Sequence, residues 1–314
     1  MKEFLVAGAV ALCTTTASFA TTITDAFSSF VILGDSLSDN GNLFASNPAF
    51  VPSPPYVEGR FSNGPVWNEG IVAGFAPGTT ANLAFGGATT SGGSFAPPSL
   101  DEQLLLLDGA IATSLSLGTT PLVSIWAGAN DIRNAVLGAP LTADAVAKDA
   151  AANVLGTIGA LAGKGINDFV VFNLPDLGAT AEANIAGYGP IASPATASYN
   201  SDLAAGLALL EASGTNIIEV DIFSLFSELI ADPASFGVDD ATGACILNPT
   251  TCNPDTWLFW DGIHPTAFGH SLIQDEVIAA IEENLAPVPL PATAPLLLAG
   301  LGLIGWTARR KACA

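Results

Sequence analysis

Ser36 closes an apolar run, Phe30-Val31-Ile32-Leu33, in the phrase Gly34-Asp35-Ser36-Leu37-Ser38-Asp39-Asn40-Gly41-Asn42. A serine on the turn leaving a buried strand is held at the rim of a sheet, where its hydroxyl can meet a substrate as a nucleophile. The same pattern describes an ordinary strand-to-helix turn, in which Gly relaxes the backbone and Asp or Ser caps the next helix. A serine hydroxyl is a weak nucleophile at neutral pH and needs a base, and imidazole is the side chain whose pKa suits that task. The chain has two histidines. His264, in Trp260-Asp261-Gly262-Ile263-His264-Pro265, follows an aspartate by three positions. At that spacing one turn lets the Asp261 carboxylate reach the far imidazole nitrogen and fix tautomer and orientation. A capped loop with an incidental histidine is the plain alternative. His270 has no such partner and reads as a helix-surface or packing residue.

Acyl transfer also needs donors for the oxyanion of a tetrahedral intermediate. In Asn82-Leu83-Ala84-Phe85-Gly86-Gly87-Ala88 the paired glycines let a backbone N–H approach a ligand with no side chain intervening. A second buried-strand pattern, Pro121-Leu122-Val123-Ser124-Ile125-Trp126, ends in Ala127-Gly128-Ala129-Asn130-Asp131, and Asn130 could aim a side-chain amide at the same oxygen. Taken singly, Gly-Gly is also a common turn and Asn-Asp a common helix cap.

Gly34-Asp35-Ser36-Leu37, Gly87, Gly128-Ala129-Asn130-Asp131 and Asp261-Gly262-Ile263-His264-Pro265 resemble, in order, the four blocks of the GDSL or SGNH hydrolases. Gly59-Arg60-Phe61-Ser62-Asn63-Gly64-Pro65-Val66-Trp67 and Phe172-Asn173-Leu174-Pro175-Asp176-Leu177-Gly178 are similar to the branch holding secreted bacterial lipases, esterases and phospholipid acyl hydrolases. The resemblance spans about residues 28 to 285. It implies Ser36 as nucleophile, His264 as base and Asp261 as its orienting carboxylate. It also implies an oxyanion hole from the Ser36 and Gly87 backbone and the Asn130 side chain, with Gly87 taken over Gly86 from its place in the block. No Gly-x-Ser-x-Gly elbow surrounds Ser36, which argues against the larger α/β-hydrolase class.

These residues need a frame. Short continuous apolar runs near Phe30–Leu33, Leu122–Trp126, Phe169–Asn173 and Ile217–Asp221 predict parallel strands covered on both faces. Ala- and Leu-rich stretches at Leu141–Gly163 and Ala197–Ser213, and a last one at Thr266–Leu285, have the length of helices. The alternation predicts an α/β protein, a three-layer α/β/α sandwich with active residues at the carboxyl ends of a central parallel sheet. The resemblance implies the same flavodoxin-like SGNH hydrolase fold. Ala45–Pro65 and Gly178–Pro194, rich in Pro, Gly, Ala and Asn, read as loops able to line a cleft. There is no internal repeat.

The ends read as addresses. Residues 1–20 carry Lys2, the apolar run Phe4–Leu12 and Ser18-Phe19-Ala20, the layout of a signal peptide, with a buried helix as the alternative. Residues 287–314 carry Val288-Pro289-Leu290-Pro291-Ala292, an apolar stretch from Pro295 to Trp306 and then Arg309-Arg310-Lys311. That stretch is shorter than the ~20 residues of a comfortable membrane span. It resembles the VPLPA variant of the PEP-CTERM tails of Gram-negative bacteria. The resemblance implies transient membrane attachment, handling by exosortase-type machinery and export to the envelope or extracellular matrix. A simple C-terminal anchor with a positive-inside flank is the alternative. Residues 21–286 are then the hydrolase domain.

Between the ends, only Arg60, Arg133, Lys148 and Lys164 stand against twenty-eight acids, a balance near −24. Such a domain is a poor partner for nucleic acid or an anionic surface. Cys13 and Cys313 lie in the terminal segments, so Cys245 and Cys252 are expected to form a local disulfide before the Asp261 turn in an oxidising compartment. Their spacing lacks the partners of a zinc site, and no cofactor or metal is expected. Asp239-Asp240 could bind calcium, but a solvated acidic turn is the simpler reading. The whole predicts an exported serine esterase or lipase. A phospholipase or lysophospholipase, a polysaccharide deacetylase and a non-catalytic envelope-binding protein are its alternatives.

Overall fold

The computed structural model describes residues 22–51, 53–92 and 97–286. The expected signal peptide and sorting segment lie outside the described residues. Five parallel strands form one sheet: β1 (Ser29–Gly34), β2 (Thr80–Asn82), β3 (Pro121–Trp126), β4 (Asp168–Phe172) and β5 (Asn216–Val220), in the order β2-β1-β3-β4-β5. This is the flavodoxin-like order, which reverses direction between β1 and β3 and leaves a crevice at their carboxyl ends. Every residue of β1 and β3 is buried, as a sheet covered on both faces requires. β2 is a half-exposed edge strand of three residues without an apolar run, which is why its sequence gives no strand signal.

Crossover connections between the parallel strands carry the helices. Helices Leu100–Thr113, Ala143–Ala162 and Gly189–Ala212 pack along one face. Helices Trp67–Val72 and Ala267–Leu285 meet on the other, where a Cβ on Gly70 would strike the Gln274 side chain. The register places Gly34 beside Trp126. The Trp67 ring packs 6.4 Å from Phe30 and 4.9 Å from Phe172, while Phe172 stacks on Trp126 at 4.6 Å. This aromatic cluster supports the strand ends from beneath the site. A two-stranded ribbon, β6 (Asp240–Ala244) with β7 (Trp257–Phe259), leads into the Asp261 turn.

One expected loop is corrected. Gly178–Pro194 is mostly helical, with Ala181–Ala186 followed by a helix that begins at Gly189 and carries both Pro190 and Pro194. Pro190 falls in the first turn, where a missing N–H costs nothing because that donor has no intrahelical partner. Gly189 and Pro190 therefore mark a helix start, Gly187 closes the helix before it at φ +76°, and Pro194 lies within the second helix. Among the described residues of Ala45–Pro65, Ala45 and Ser46 end a short helix, Pro48–Phe50 is one helical turn and the rest is irregular.

Candidate active site

The β1 turn is built from backbone outward. Gly34 has φ +150°, and a Cβ there would lie 2.3 Å from the Trp126 carbonyl oxygen, so only glycine lets the two strand ends approach. Buried Gln103 brackets the same residue, its Oε1 accepting the Gly34 N–H and its Nε2 donating to the Gly34 carbonyl, both at 2.8 Å. Beyond it, Asp39 gathers the N–H groups of Gly41, Asn42, Leu43 and Gly86 on one carboxylate. That last bond ties the Gly-Gly segment to the serine turn. It also consumes the Gly86 N–H and leaves Gly87, at φ +79°, facing the cleft. Asp131 holds the next stretch by accepting the N–H and Oγ1–H of Thr90. Asn130 Nδ2 donates to the Ala88 carbonyl at 3.0 Å and to Asp35 Oδ2 at 3.3 Å, so the three segments are cross-braced.

The structure brings Ser36, His264 and Asp261 together across more than two hundred residues. His264 Nδ1 lies 2.6 Å from Asp261 Oδ2, and His264 Nε2 lies 2.7 Å from Ser36 Oγ. An ionised carboxylate can only accept, so Nδ1 carries the proton and donates it to Asp261, leaving Nε2 to accept from the Ser36 hydroxyl. Asp261 Oδ1 also accepts the Ile263 and His264 N–H groups, which makes the Asp-Gly-Ile-His turn self-bracing. Among the described residues the N–H groups of Ser36 and Gly87 have no hydrogen-bond partner.

Electrostatics separate the acids. Burial alone would raise the Asp261 carboxyl, but the His264 charge and the hydrogen bonds from His264, Tyr56 and Ile263 hold it well below the usual carboxylate range. Burial pushes Asp35 up to about 7 and Asp131 up to about 6, against too few donors to offset it. His270 is 1 % exposed and both its ring nitrogens lack partners. Burial pushes it down to about 3, so it is a neutral packing residue.

Two chambers meet at Ser36 and His264. One is apolar and narrow, with a cavity volume of about 50 Å³, and is walled by Leu37, Ile132, Leu177, Phe226, Phe259 and Ile263. The other is wider, about 360 Å³, and is lined by Tyr56, Phe61, Gly87, Arg133, Glu182 and Asp261. Arg133 and Glu182 form a two-pronged ion pair at 2.5 and 2.6 Å. Tyr56, Arg133 and Glu182 carry no spacing signal in the sequence, because each reaches the site from a different segment. Elsewhere, Cys245 and Cys252 are bonded, with Cα atoms 5.1 Å apart. Asp240 Oδ1 closes a turn by accepting the N–H groups of Thr242 and Gly243. Among the described residues no group of three His, Cys, Asp or Glu side chains is placed to hold a metal.

A serine hydroxyl backed by a buried histidine and aspartate, on the carboxyl edge of a flavodoxin-like sheet, is the frame of a serine hydrolase. Residues 30–277 match the family model of the GDSL-like lipase/acylhydrolases, and the chain belongs to that family. Residues 287–311 match the PEP-CTERM protein-sorting motif. A phosphatidylcholine-sterol acyltransferase of Aeromonas hydrophila is 30% identical, over 82% of this chain and 91% of its own. A thermolabile hemolysin of Vibrio parahaemolyticus is 26% identical over 83% of this chain, and an esterase EstA of Pseudomonas aeruginosa 29% over 79%. This chain spans 65% and 46% of those two proteins, which are longer. An acetylxylan esterase structure from Geobacillus stearothermophilus aligns at TM-score 0.45 with 14% identity, over 84% of this chain and 96% of that one.

Proposed function

We propose that the protein is an exported serine hydrolase that cleaves carboxylic esters through a covalent acyl-enzyme. The carrying observation is the unbroken series from Ser36 Oγ through His264 to Asp261 Oδ2, with links of 2.7 and 2.6 Å, beside two unengaged backbone donors. In this reading Ser36 Oγ attacks the acyl carbonyl while His264 Nε2 takes its proton. Asp261 keeps the imidazole in the required tautomer and stabilises the imidazolium. The oxyanion is received by the Ser36 and Gly87 N–H groups and by Asn130, whose bond to Asp35 is the longer of its two. His264 then protonates the leaving alcohol, the C–O bond breaks, and a water activated by His264 releases the acid and restores Ser36.

Ser36→Ala is expected to abolish both turnover of a short-chain nitrophenyl ester and labelling by a fluorophosphonate probe, with the melting temperature unchanged. Turnover or labelling that survives in this variant would sink the assignment, and an inert binding protein would leave Ser36 unlabelled from the start.

A second reading, acyl hydrolysis of phospholipids or transfer of their acyl group to an alcohol, is favoured by two observations. The apolar chamber suits an acyl chain and the polar one a head group, and the relative matched over 91% of its length is named for transfer from phosphatidylcholine. We place residues 1–20 as a cleaved signal peptide, 21–286 as the hydrolase domain and 287–314 as the sorting segment. The sorting motif supports export to a Gram-negative envelope and an exosortase-type partner.

A further inference from the structure

We propose that Tyr56 is a positioning residue of this site, its phenol sharing Asp261 Oδ2 with the His264 imidazole and so moderating how firmly His264 holds a proton. The inference rests on the reading of His264 as the base. Tyr56 Oη–H donates to Asp261 Oδ2 at 2.6 Å, the same length as the bond from His264 Nδ1. Among the described residues it is the only side chain from outside the Asp261–His264 turn that bonds this carboxylate. With two backbone donors on Oδ1 and two side-chain donors on Oδ2, Asp261 uses its full acceptor capacity.

The segment carrying Tyr56 is built to hold that phenol in place. Ser53 Oγ donates to the Tyr56 carbonyl at 2.5 Å, and the Val57 N–H donates to the Ser62 carbonyl at 3.1 Å. Arg60 clamps the segment to Glu69 through two bonds of 2.7 Å. The Tyr56 ring lies 5.8 Å from Phe61, whose own ring lies 5.0 Å from His264. Ser62 Oγ then donates to the Pro265 carbonyl and Asn63 Oδ1 accepts the Ala267 N–H, so one short segment grips both sides of the histidine turn. Burial and the Asp261 charge push the Tyr56 phenol above its ordinary value, which keeps it a donor throughout the working pH range.

The consequence follows from charge sharing. A carboxylate oxygen that already accepts a phenol has less negative charge to offer an imidazolium. Removing the phenol strengthens the Asp261–His264 interaction, so His264 keeps its proton to higher pH. The other charged or titratable groups near the imidazole are Asp35 from the β1 turn, Arg133 from helix Ala129–Gly138, Glu182 from helix Ala181–Ala186 and His270 from helix Ala267–Leu285. None of them bonds Asp261 Oδ2, and Arg133 and Glu182 are locked to each other.

The test is Tyr56→Phe, which keeps the ring against Phe61 and deletes one oxygen. The acid limb of kcat/KM for a short nitrophenyl ester should move up by about half to one pH unit, with kcat about three- to tenfold lower and KM unchanged. Site-specific 3,5-difluorotyrosine at position 56, a stronger donor, should move the limb the opposite way. An NMR titration of His264 in a Ser36→Ala background should show the same two shifts without turnover. It therefore reports on the Tyr56 coupling even if the catalytic reading of Ser36 fails. A limb and an imidazole titration that stay in place in both variants, whatever happens to kcat, would make Tyr56 only a wall of the cleft and overturn the proposal. So would a downward shift in Tyr56→Phe.

Discussion

Two turns meet at the Ser36–His264 pair, and they are supported in different ways. The Gly34–Asp39 turn grows from β1, an interior strand of a five-stranded sheet, with Gln103 and the Trp67 cluster beneath it. The Asp261–His264 turn grows from a two-stranded ribbon and is held by long-range bonds. Glu182 N–H donates to the Gly262 carbonyl and Ser62 Oγ to the Pro265 carbonyl, beside the local bond from Trp260 N–H to the His264 carbonyl. Each turn also buries an aspartate beside the Ser36–His264 pair, with opposite results. Asp35 is fully buried with only two donors and rises to about 7, while Asp261 meets four donors and falls well below the usual range. The rigid turn can tolerate an acid that favours its neutral form. The borrowed turn depends on an acid that is always charged, because that charge organises it.

Exchanging one oxygen for an amide at both positions should break the symmetry of that pair. In Asp261→Asn the new amide presents a donor to Nδ1 and drives the imidazole to the tautomer that cannot accept from Ser36. A loss in kcat on the order of a thousandfold to ten-thousandfold is expected, and a loss below tenfold would remove Asp261 from its role. Asp35→Asn should instead act on stability. A carboxyl whose folded pKa is raised binds its proton more tightly in the native state. Its favourable contribution is complete below the unfolded value near 3.8 and is lost as pH climbs through about 7. The wild type should therefore lose on the order of 2–4 kcal/mol of stability between pH 4 and 8 on this account. Asp131, raised to about 6, acts in the same sense, so Asp35→Asn should flatten the slope without removing it. Urea unfolding at the two pH values reads the difference. Equal slopes in variant and wild type would show that Asp35 stays ionised.

How far these features were legible depends on range. Four of the five sheet strands announce themselves as apolar runs, and Asp261 three positions before His264 is a local signal that one turn can satisfy. That the Gly86 N–H is engaged is not local, because its acceptor Asp39 lies forty-seven positions away. Tyr56 reaches Asp261 across 205 positions with no spacing to betray it. The helix at Leu100–Thr113 did have a signal, Ser99 followed by Glu102, whose carboxylate caps the Ser99 N–H. The contrast between Asp35 and Asp261 is invisible in composition, since an aspartate in a turn looks the same whether it meets two donors or four.

The smallest effect concerns the support of the second turn. Cys245 and Cys252 close a seven-residue separation just ahead of β7, and the Ile246 N–H between them donates to the Trp260 carbonyl beside Asp261. The sheet-borne serine turn has no such staple. Cutting the bond by Cys245→Ser with Cys252→Ser frees the unfolded chain and should reduce stability by about 2 kcal/mol. For a domain of this size that corresponds to a melting temperature lower by about 4–8 °C. The local hydrogen bonds of Asp261 do not pass through the cysteines, so kcat and the acid limb below the new melting point should stay as in wild type. A reductant added to the wild-type protein should reproduce the same drop, and should do nothing to the double variant. If kcat falls with stability, the ribbon positions His264 directly and the second turn is not self-bracing; if neither moves, the bond contributes nothing to the support of that turn.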